Sequence, residues 1–348
     1  MTATTTRERL GALASTPLVW GLVAIVVLLA INSLRDPGYL GVELAASGRL
    51  AGNPIDILRT AAPLLMIALG MTLVVATGGI DLSVGSAMVI GGAVSMEMLQ
   101  AGDGSVGSAM AALGVALLIT AVLGAINGVL VAFVGLQPFI TTLVTMLAGR
   151  GLAKVITEGQ NTSASNEAFR WIANGTVLGA PVVFLIALAI LVVVVVLVRT
   201  TALGMLIESI GIDPKASRMA GVDRRSLLVA VYVISGVLGG VAGVFATGSV
   251  MTVDVSNTGL LLELDAILAV VVGGTALTGG RFSLAGAAIG ALLIATLDKT
   301  VVFLGVSSAA TPAFKAVVIV ALCLLQSATI RERLSRVRLR APRREVTA

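Results

Sequence analysis

The chain alternates long apolar runs with short breaks of Gly, Pro, Asn or charge. Ten runs fall at 17–34, 57–76, 83–99, 107–133, 138–157, 177–198, 227–250, 261–277, 284–305 and 311–328. Each is near or above the roughly 20 residues that a helix needs to cross a bilayer. None of the breaks is long enough for a separate soluble domain of about 50 residues or more. The pattern predicts an all-α, polytopic transmembrane helical bundle of about ten spans. A short arm (1–16) precedes the transmembrane domain (17–328), and a basic tail (329–348) follows it.

An even number of spans places both termini on one side of the membrane. Arg7 and Arg9, then Arg199, Lys215, Arg218, Arg224 and Arg225, and finally the arginines from Arg331 to Arg344, all fall on that side. By the positive-inside bias it is the cytoplasm, and the chain is expected to be multi-pass. The opposite loops, such as 158–176, hold few basic residues. The segment 17–34 is long for a signal-peptide core and lacks a small-residue cleavage site after it, so it is expected to be a retained first helix.

Composition agrees: 57% of residues are hydrophobic and 12% charged, and mean hydropathy is +1.06. The formal charge of +5 sits at the ends of apolar runs, which argues for topology and against nucleic-acid binding. The basic tail is also suited to anionic lipid headgroups. With no histidine, and one cysteine (Cys323) inside an apolar run, neither a metal site nor histidine-based catalysis is expected. No G-x-x-x-x-G-K-[ST] phosphate loop occurs, so the chain is not expected to hydrolyse ATP. The Asn-X-Ser/Thr sequons at Asn161 and Asn174 are read as chance occurrences of a short motif.

The stretch Thr77-Gly78-Gly79-Ile80-Asp81-Leu82-Ser83-Val84-Gly85 sets two glycines and a carboxylate between apolar runs. A carboxylate there is costly unless it faces a bundle interior or a watered cavity. The ten-span count puts the stretch at the cytoplasmic ends of spans two and three, as a turn at the inward mouth of a path. Asp81 would cap span three, with Ser83 as a second capping candidate. Thr-Gly-Gly recurs at Thr278-Gly279-Gly280, on the same side, so Gly78, Gly79, Gly279 and Gly280 are candidate turn glycines. Asp81, Ser83, Asn127, Gln137, Thr141, Thr142, Glu263 and Thr275 are candidates for a polar path, each also able to act as glue between helices. Among other charges in or beside spans, Arg150 stands near mid-span between Gly149 and Gly151. It is expected to pair with a carboxylate or with helix-end carbonyls. Gly236, Gly239, Gly240 and Gly243, like Gly286 and Gly290, are spaced to let helix backbones approach closely.

The longest charged break is the loop at about 199–226. Asp213 and Pro214 suit a helix start and Gly221 a helix end, which predicts one short amphipathic helix outside the membrane. It would either lie on headgroups or dock a partner.

The strings TGGIDLSVG, QPFITTLVTMLAGRGLAKVITEGQ, ALGMLIESIGIDPKASRMAGV and LELDAILAVVVGGTALTGGRFS resemble signature segments of the ribose-type family of sugar permeases from ABC transporters. NPIDILRTAAPLLMIALGMTLVVATGGIDLSVG is most similar to the galactofuranose-type branch. The resemblance runs from about Asn53 to Ser327. It implies a permease that pairs with a second, identical or homologous permease. Cytoplasmic ATPase subunits, which hold the ATP, would drive the pair, and an extracytoplasmic sugar-binding protein would feed it. It also implies that Glu208, Gly211, Asp213, Lys215, Arg218, Ala220 and Gly221 carry the coupling to the ATPase, and that this chain binds no cofactor. Aromatic residues make up only 3% of the chain, which argues against a high-affinity sugar pocket and suits selectivity delegated to a binding protein. The cargo stays open among furanose, pentose and hexose sugars, galactofuranose included. An ion-coupled secondary transporter using Asp81 and Glu263 is the alternative from another class. A membrane enzyme is disfavoured for want of an assembled nucleophile and base.

Overall fold

The computed structural model describes residues 17–44 and 50–326; the arm, the basic tail and the last two residues of the tenth expected span lie outside the described residues. Each of the ten expected spans coincides with a helix. These are α1 (Pro17–Arg35), α2 (Asn53–Ala76), α3 (Val84–Gln100), α4 (Val106–Val129, closed by a π-helical turn at Leu130–Val134), α5 (Pro138–Ile156), α7 (Val182–Thr200), α10 (Arg224–Val250), α11 (Leu262–Val272), α12 (Leu284–Phe303) and α13 (Thr311–Gln326). Seven are long and apolar enough to cross a membrane by length and composition; α3, α11 and α13 are shorter. Between them lie α6 (Glu167–Asn174), α8 (Leu203–Ile212) and α9 (Pro214–Met219). Three two-residue antiparallel pairings complete the described structure: β1 (Glu43–Leu44) with β2 (Leu50–Ala51), β3 (Thr162–Ser163) with β6 (Thr252–Val253), and β4 (Thr176–Val177) with β5 (Ala180–Pro181).

α2 and α10 form the centre of the bundle, and α3 lies buried beside them. Glycine is what lets α10 sit there. Gly236 and Gly240 face Thr120 and Gly124 of α4, while Gly239 and Gly243 face α3. A methyl group at Gly243 would overlap the carbonyl oxygen of Met88, and one at Gly91 would stand 2.9 Å from the Cα of Gly240. Gly286 and Gly290 seat α12 in the same way against Gly273 and Ala269 of α11. α1 packs on α12 and α13 through Ala24 and Leu28, and its Asn32 donates to the Thr300 hydroxyl at 2.8 Å. Leu118, Leu147 and Val193, on α4, α5 and α7, are exposed, as surfaces that meet lipid must be.

Two sequence expectations need correction, and one loop holds a helix on which the sequence reading was silent. The run 261–277 is helical only over Leu262–Val272, because Gly274 (φ +89°) turns the chain: the N–H of Gly274 donates to Val271 O, and that of Thr275 to Val270 O. That is a Schellman ending, which glycine permits at no steric cost. The eleven residues of α11 span about 16 Å, half a bilayer's hydrocarbon. The cytoplasmic segment forms two helices, not one. Pro214 offers no N–H and forces Asp213 into an extended conformation (φ −150°), which ends α8 and caps α9. The outer loop 158–176 contains α6, held by the Asn166 side chain accepting from Phe169 N–H, with Phe169 and Ala173 buried.

Candidate functional site

α2 ends as α11 does: the N–H of Gly78 (φ +82°) donates to Val75 O and that of Gly79 to Val74 O. Gly79 is also confined, since a methyl group there would stand 2.8 Å from the Tyr232 hydroxyl. The Thr278–Gly280 turn, with Gly279 and Gly280 both at positive φ, lies directly against it. Gly280 N–H donates to Ala76 O at 2.8 Å. Gly211, near the end of α8, closes the triangle, because any side chain there would overlap Ala76 O and Gly280 N. The two Thr-Gly-Gly strings therefore meet at one end of the bundle, the end bearing α8 and α9.

Beyond this turn the chain enters the interior. Asp81 is 1% exposed. Its Oδ1 accepts from the N–H and the hydroxyl of Ser83 (3.0 and 2.6 Å), and its Oδ2 from the Ser235 hydroxyl (2.7 Å). Ser235 lies eleven residues past the start of α10, roughly 16 Å along its axis. The expectation of an inward mouth is thus corrected for Asp81: every acceptor direction in use points at protein, well inside the bundle. Its carboxylate braces the N–H ahead of the first turn of α3. Ser83 supplies no side-chain cap; its Oγ receives Asn127 Nδ2 at 2.8 Å. Thr142 on α5 donates to Ile80 O at 3.1 Å. Buried Thr141 bonds its own helix at Gln137 O. Gln137 is exposed at the start of α5, and Thr275 accepts from Ser283 N–H in the far turn. Of the eight path candidates, Asp81, Ser83 and Asn127 form one hydrogen-bonded group, Thr142 bonds the carbonyl of the adjoining Ile80, and Gln137, Thr141 and Thr275 do not join it.

Glu263 opens a second group. It stands in the first turn of α11, which starts inside the bundle: Gly259 and Glu263 press on Gly85 at the head of α3. Arg150, twelve residues into α5, donates from Nη2 to Gly259 O at 2.8 Å and lies 3.7 Å from Glu263 Oε2. The expectation that Arg150 finds a carboxylate is met by Glu263, and the carbonyl it also bonds belongs to the turn ahead of α11. Across the two groups, Asn127 Oδ1, Arg150 Nη1 and Glu263 Oε2 are buried without a protein hydrogen bond, as is the Tyr232 hydroxyl beside Gly79.

Two further sets of charges in or beside the spans find partners. Lys315 bridges Asp265 (2.8 Å) and Asp298 (2.7 Å), joining α11, α12 and α13, and Lys299 pairs with Asp56 at 2.6 Å. Nothing local signals the Lys315 bridge, whose members are 50 and 17 residues apart in the chain. Asn161 and Asn174, the sequon residues, bond Val255 N–H and the carbonyls of Gly248 and Ser249.

On α8 and α9, Ile207 and Ile210 are buried against the bundle, while Glu208, Met205, Ile212 and Met219 are exposed. Asp213 Oδ1 accepts from the N–H groups of Lys215 and Ala216. Gly221 (φ +84°) ends α9 after Ala220. Lys215, Arg218, Ala220 and Gly221 are all exposed.

Residues 53–326 match the family model described as "Branched-chain amino acid transport system / permease component". The fructose import permease protein FruF of Bifidobacterium longum is 51% identical, over 91% of this chain and 90% of its own. The galactofuranose transporter permease protein YtfT of Escherichia coli is 43% identical over 88% of each chain. The ribose import permease protein RbsC of Escherichia coli is 36% identical over 88% of this chain and 92% of its own. No solved structure matches.

Proposed function

We propose, from the fact that this chain belongs to the family of branched-chain amino acid transport system permease components, that it is the membrane-spanning subunit of an ATP-driven importer of a monosaccharide. It works in the bacterial plasma membrane and carries out no catalytic step. ATP is held by cytoplasmic ATPase subunits, a second permease completes the path, and an extracytoplasmic binding protein delivers the sugar. Fructose, galactofuranose and ribose, the cargoes named for its relatives, are the first sugars to test.

The observation that carries the coupling assignment is the position of Gly211. Exposed Met205, Glu208, Ile212 and Met219 offer a partner a mixed apolar and charged surface, and the same helix touches both glycine turns. A displacement of α8 by a closing ATPase cannot leave the heads of α3 and α12 unmoved, because no gap separates Gly211 from Ala76 O and Gly280 N. From α3, motion reaches Gly259 and Glu263 through Gly85, and so α11. In transporters, interior helix breaks of this kind commonly flank the site around which alternating access turns.

The test is co-purification with a co-expressed ABC ATPase, together with ATP-dependent sugar uptake, for Glu208 and Gly211 substituted together. Loss of the complex while the permease still inserts supports the assignment. A persistent complex with normal uptake overturns it, and uptake that survives ATP depletion but collapses with an uncoupler overturns the ATP-driven reading.

A further inference from the structure

Between α9 and the adjoining ends of α4 and α10, a cavity of about 430 Å³ is walled by Ala132 at the end of α4, Lys215 and Arg218 of α9, and Asp223, Arg224 and Arg225 at the head of α10. All four cations are exposed, and none lies within 4 Å of a carboxylate among the described residues. Asp223 offsets only one of them. Its carboxylate accepts from the Ser226 hydroxyl and from the N–H groups of Arg225 and Ser226, as the cap of α10. The same bonds, the Ser226 hydroxyl foremost, hold its pKa below the usual aspartate value, so it stays charged at neutral pH. The cavity keeps an excess of three positive charges.

A soluble anion would account for the charge but not for what adjoins it. The Arg225 guanidinium lies 5.3 Å from the centre of the Phe133 ring. Phe133, Val134, Leu136 and Val129 continue from there as an exposed apolar wall on the membrane end of α4. A cationic hollow opening onto an apolar wall, at the depth where α4 and α10 leave the bilayer, fits a ligand with an anionic head and hydrocarbon tails. We infer that this cavity binds the phosphate headgroup of an anionic phospholipid of the cytoplasmic leaflet, with its acyl chains against Phe133, Val134 and Val129. Occupancy ties the ends of α4, α9 and α10 together. It leaves Ala216, Met219 and Ala220, which do not line the cavity, free for a partner on the other face of α9.

Native mass spectrometry of the purified full chain, released from neutral detergent, tests the site. Three probes are used: dioleoyl phosphatidylglycerol, dioleoyl phosphatidylcholine and soluble glycerol 3-phosphate. The wild type should retain phosphatidylglycerol and not phosphatidylcholine. Each neutralised cation should weaken retention about fivefold, so Arg224→Gln with Arg225→Gln loses about twentyfold or more, while R224K/R225K retains the lipid. Lys215→Gln with Arg218→Gln, outside the packed bundle, should weaken it in the same way. Unchanged retention in both glutamine pairs overturns the inference, as does equal retention of the two lipids. Displacement of the lipid by glycerol 3-phosphate would reassign the cavity to a soluble anion. Its stoichiometric displacement by an added ATPase would reassign it to an acidic protein surface.

Discussion

Removing Arg150 should do more damage than removing Arg150 and Glu263 together. The two groups lie 3.7 Å apart with Glu263 5% exposed. At an effective dielectric constant near 20, unit charges at that distance attract by about 4.5 kcal/mol. Arg150→Met abolishes that attraction, strands the Glu263 carboxylate and deletes the N–H donated to Gly259 O. Breaking a buried pair from one side costs about 3–5 kcal/mol, and the lost charged hydrogen bond adds to it. The total is comparable to the whole stability of a typical domain. In R150M/E263M no charge is left stranded, and most of the loss should return. Unfolding of the purified protein by SDS in mixed micelles, followed by the fluorescence of Trp20 and Trp171, gives each free energy. The double-mutant cycle should show a coupling of about 2–3 kcal/mol. Single-variant losses that add to within about 0.5 kcal/mol would refute the pairing as an energetic link between α5 and α11.

Other perturbations follow the same reasoning. Gly243→Leu drives a side chain into Met88 O and should cost about 3 kcal/mol or more, whereas Gly114→Leu, which meets nothing within 4 Å, should be neutral in the same SDS titration. Gly211→Ala alone should cut sugar uptake about tenfold or more while the ATPase still co-purifies, since the change lies at the contact that passes motion on and not at the docking face. Lys315→Met strands Asp265 and Asp298 and should cost about 3–5 kcal/mol, with K315M/D265L/D298L recovering most of it. Asp81→Asn should retain uptake: the amide keeps one acceptor for Ser83, and the Ser235 hydroxyl can turn to accept from its N–H. Loss of uptake in a folded D81N protein would show that the charge itself serves transport.

Much of the bundle was legible along the chain because apolar length and lysine-arginine bias are local signals. The ten runs map onto helices to within a few residues, save the end of 261–277 and the start of 177–198. Asp213, Pro214 and Gly221 marked the bounds of α9 for the same reason: cap, first turn and left-handed stop are chemistry of single residues. What stayed hidden was either masked or distant. Gly273 and Gly274 look like the packing glycines common in membrane spans, so nothing in the run itself announced that α11 stops after eleven residues. Asp81 was legible as a costly charge, but its partner Ser235 lies 154 residues away, and without it depth could not be assigned. The Arg150 expectation succeeded because the cost of a stranded cation demands some partner, even where the sequence cannot name which.

The polar interior divides by hydrogen-bonding capacity, and the division bears on where a sugar could be met. Asp81 stood out in the sequence, yet its oxygens are occupied by Ser83 and Ser235, and Thr142 is engaged with Ile80 O. Besides the Tyr232 hydroxyl, which stands against Gly79, the groups with capacity to spare here are Asn127 Oδ1, Arg150 Nη1 and Glu263 Oε2. A buried polar atom without a hydrogen bond costs about 1–3 kcal/mol, so a state that leaves several of them is poised to exchange them for water, solute hydroxyls or one another. All three belong to groups anchored near the heads of α3 and α11, the interior helix starts linked through Gly85 to the turn that Gly211 touches. The same shift of α3 that a coupling helix would impose is therefore the one that re-pairs these atoms. Asp81, with both oxygens engaged by Ser83 and Ser235, is placed to hold the head of α3 rigid while it moves.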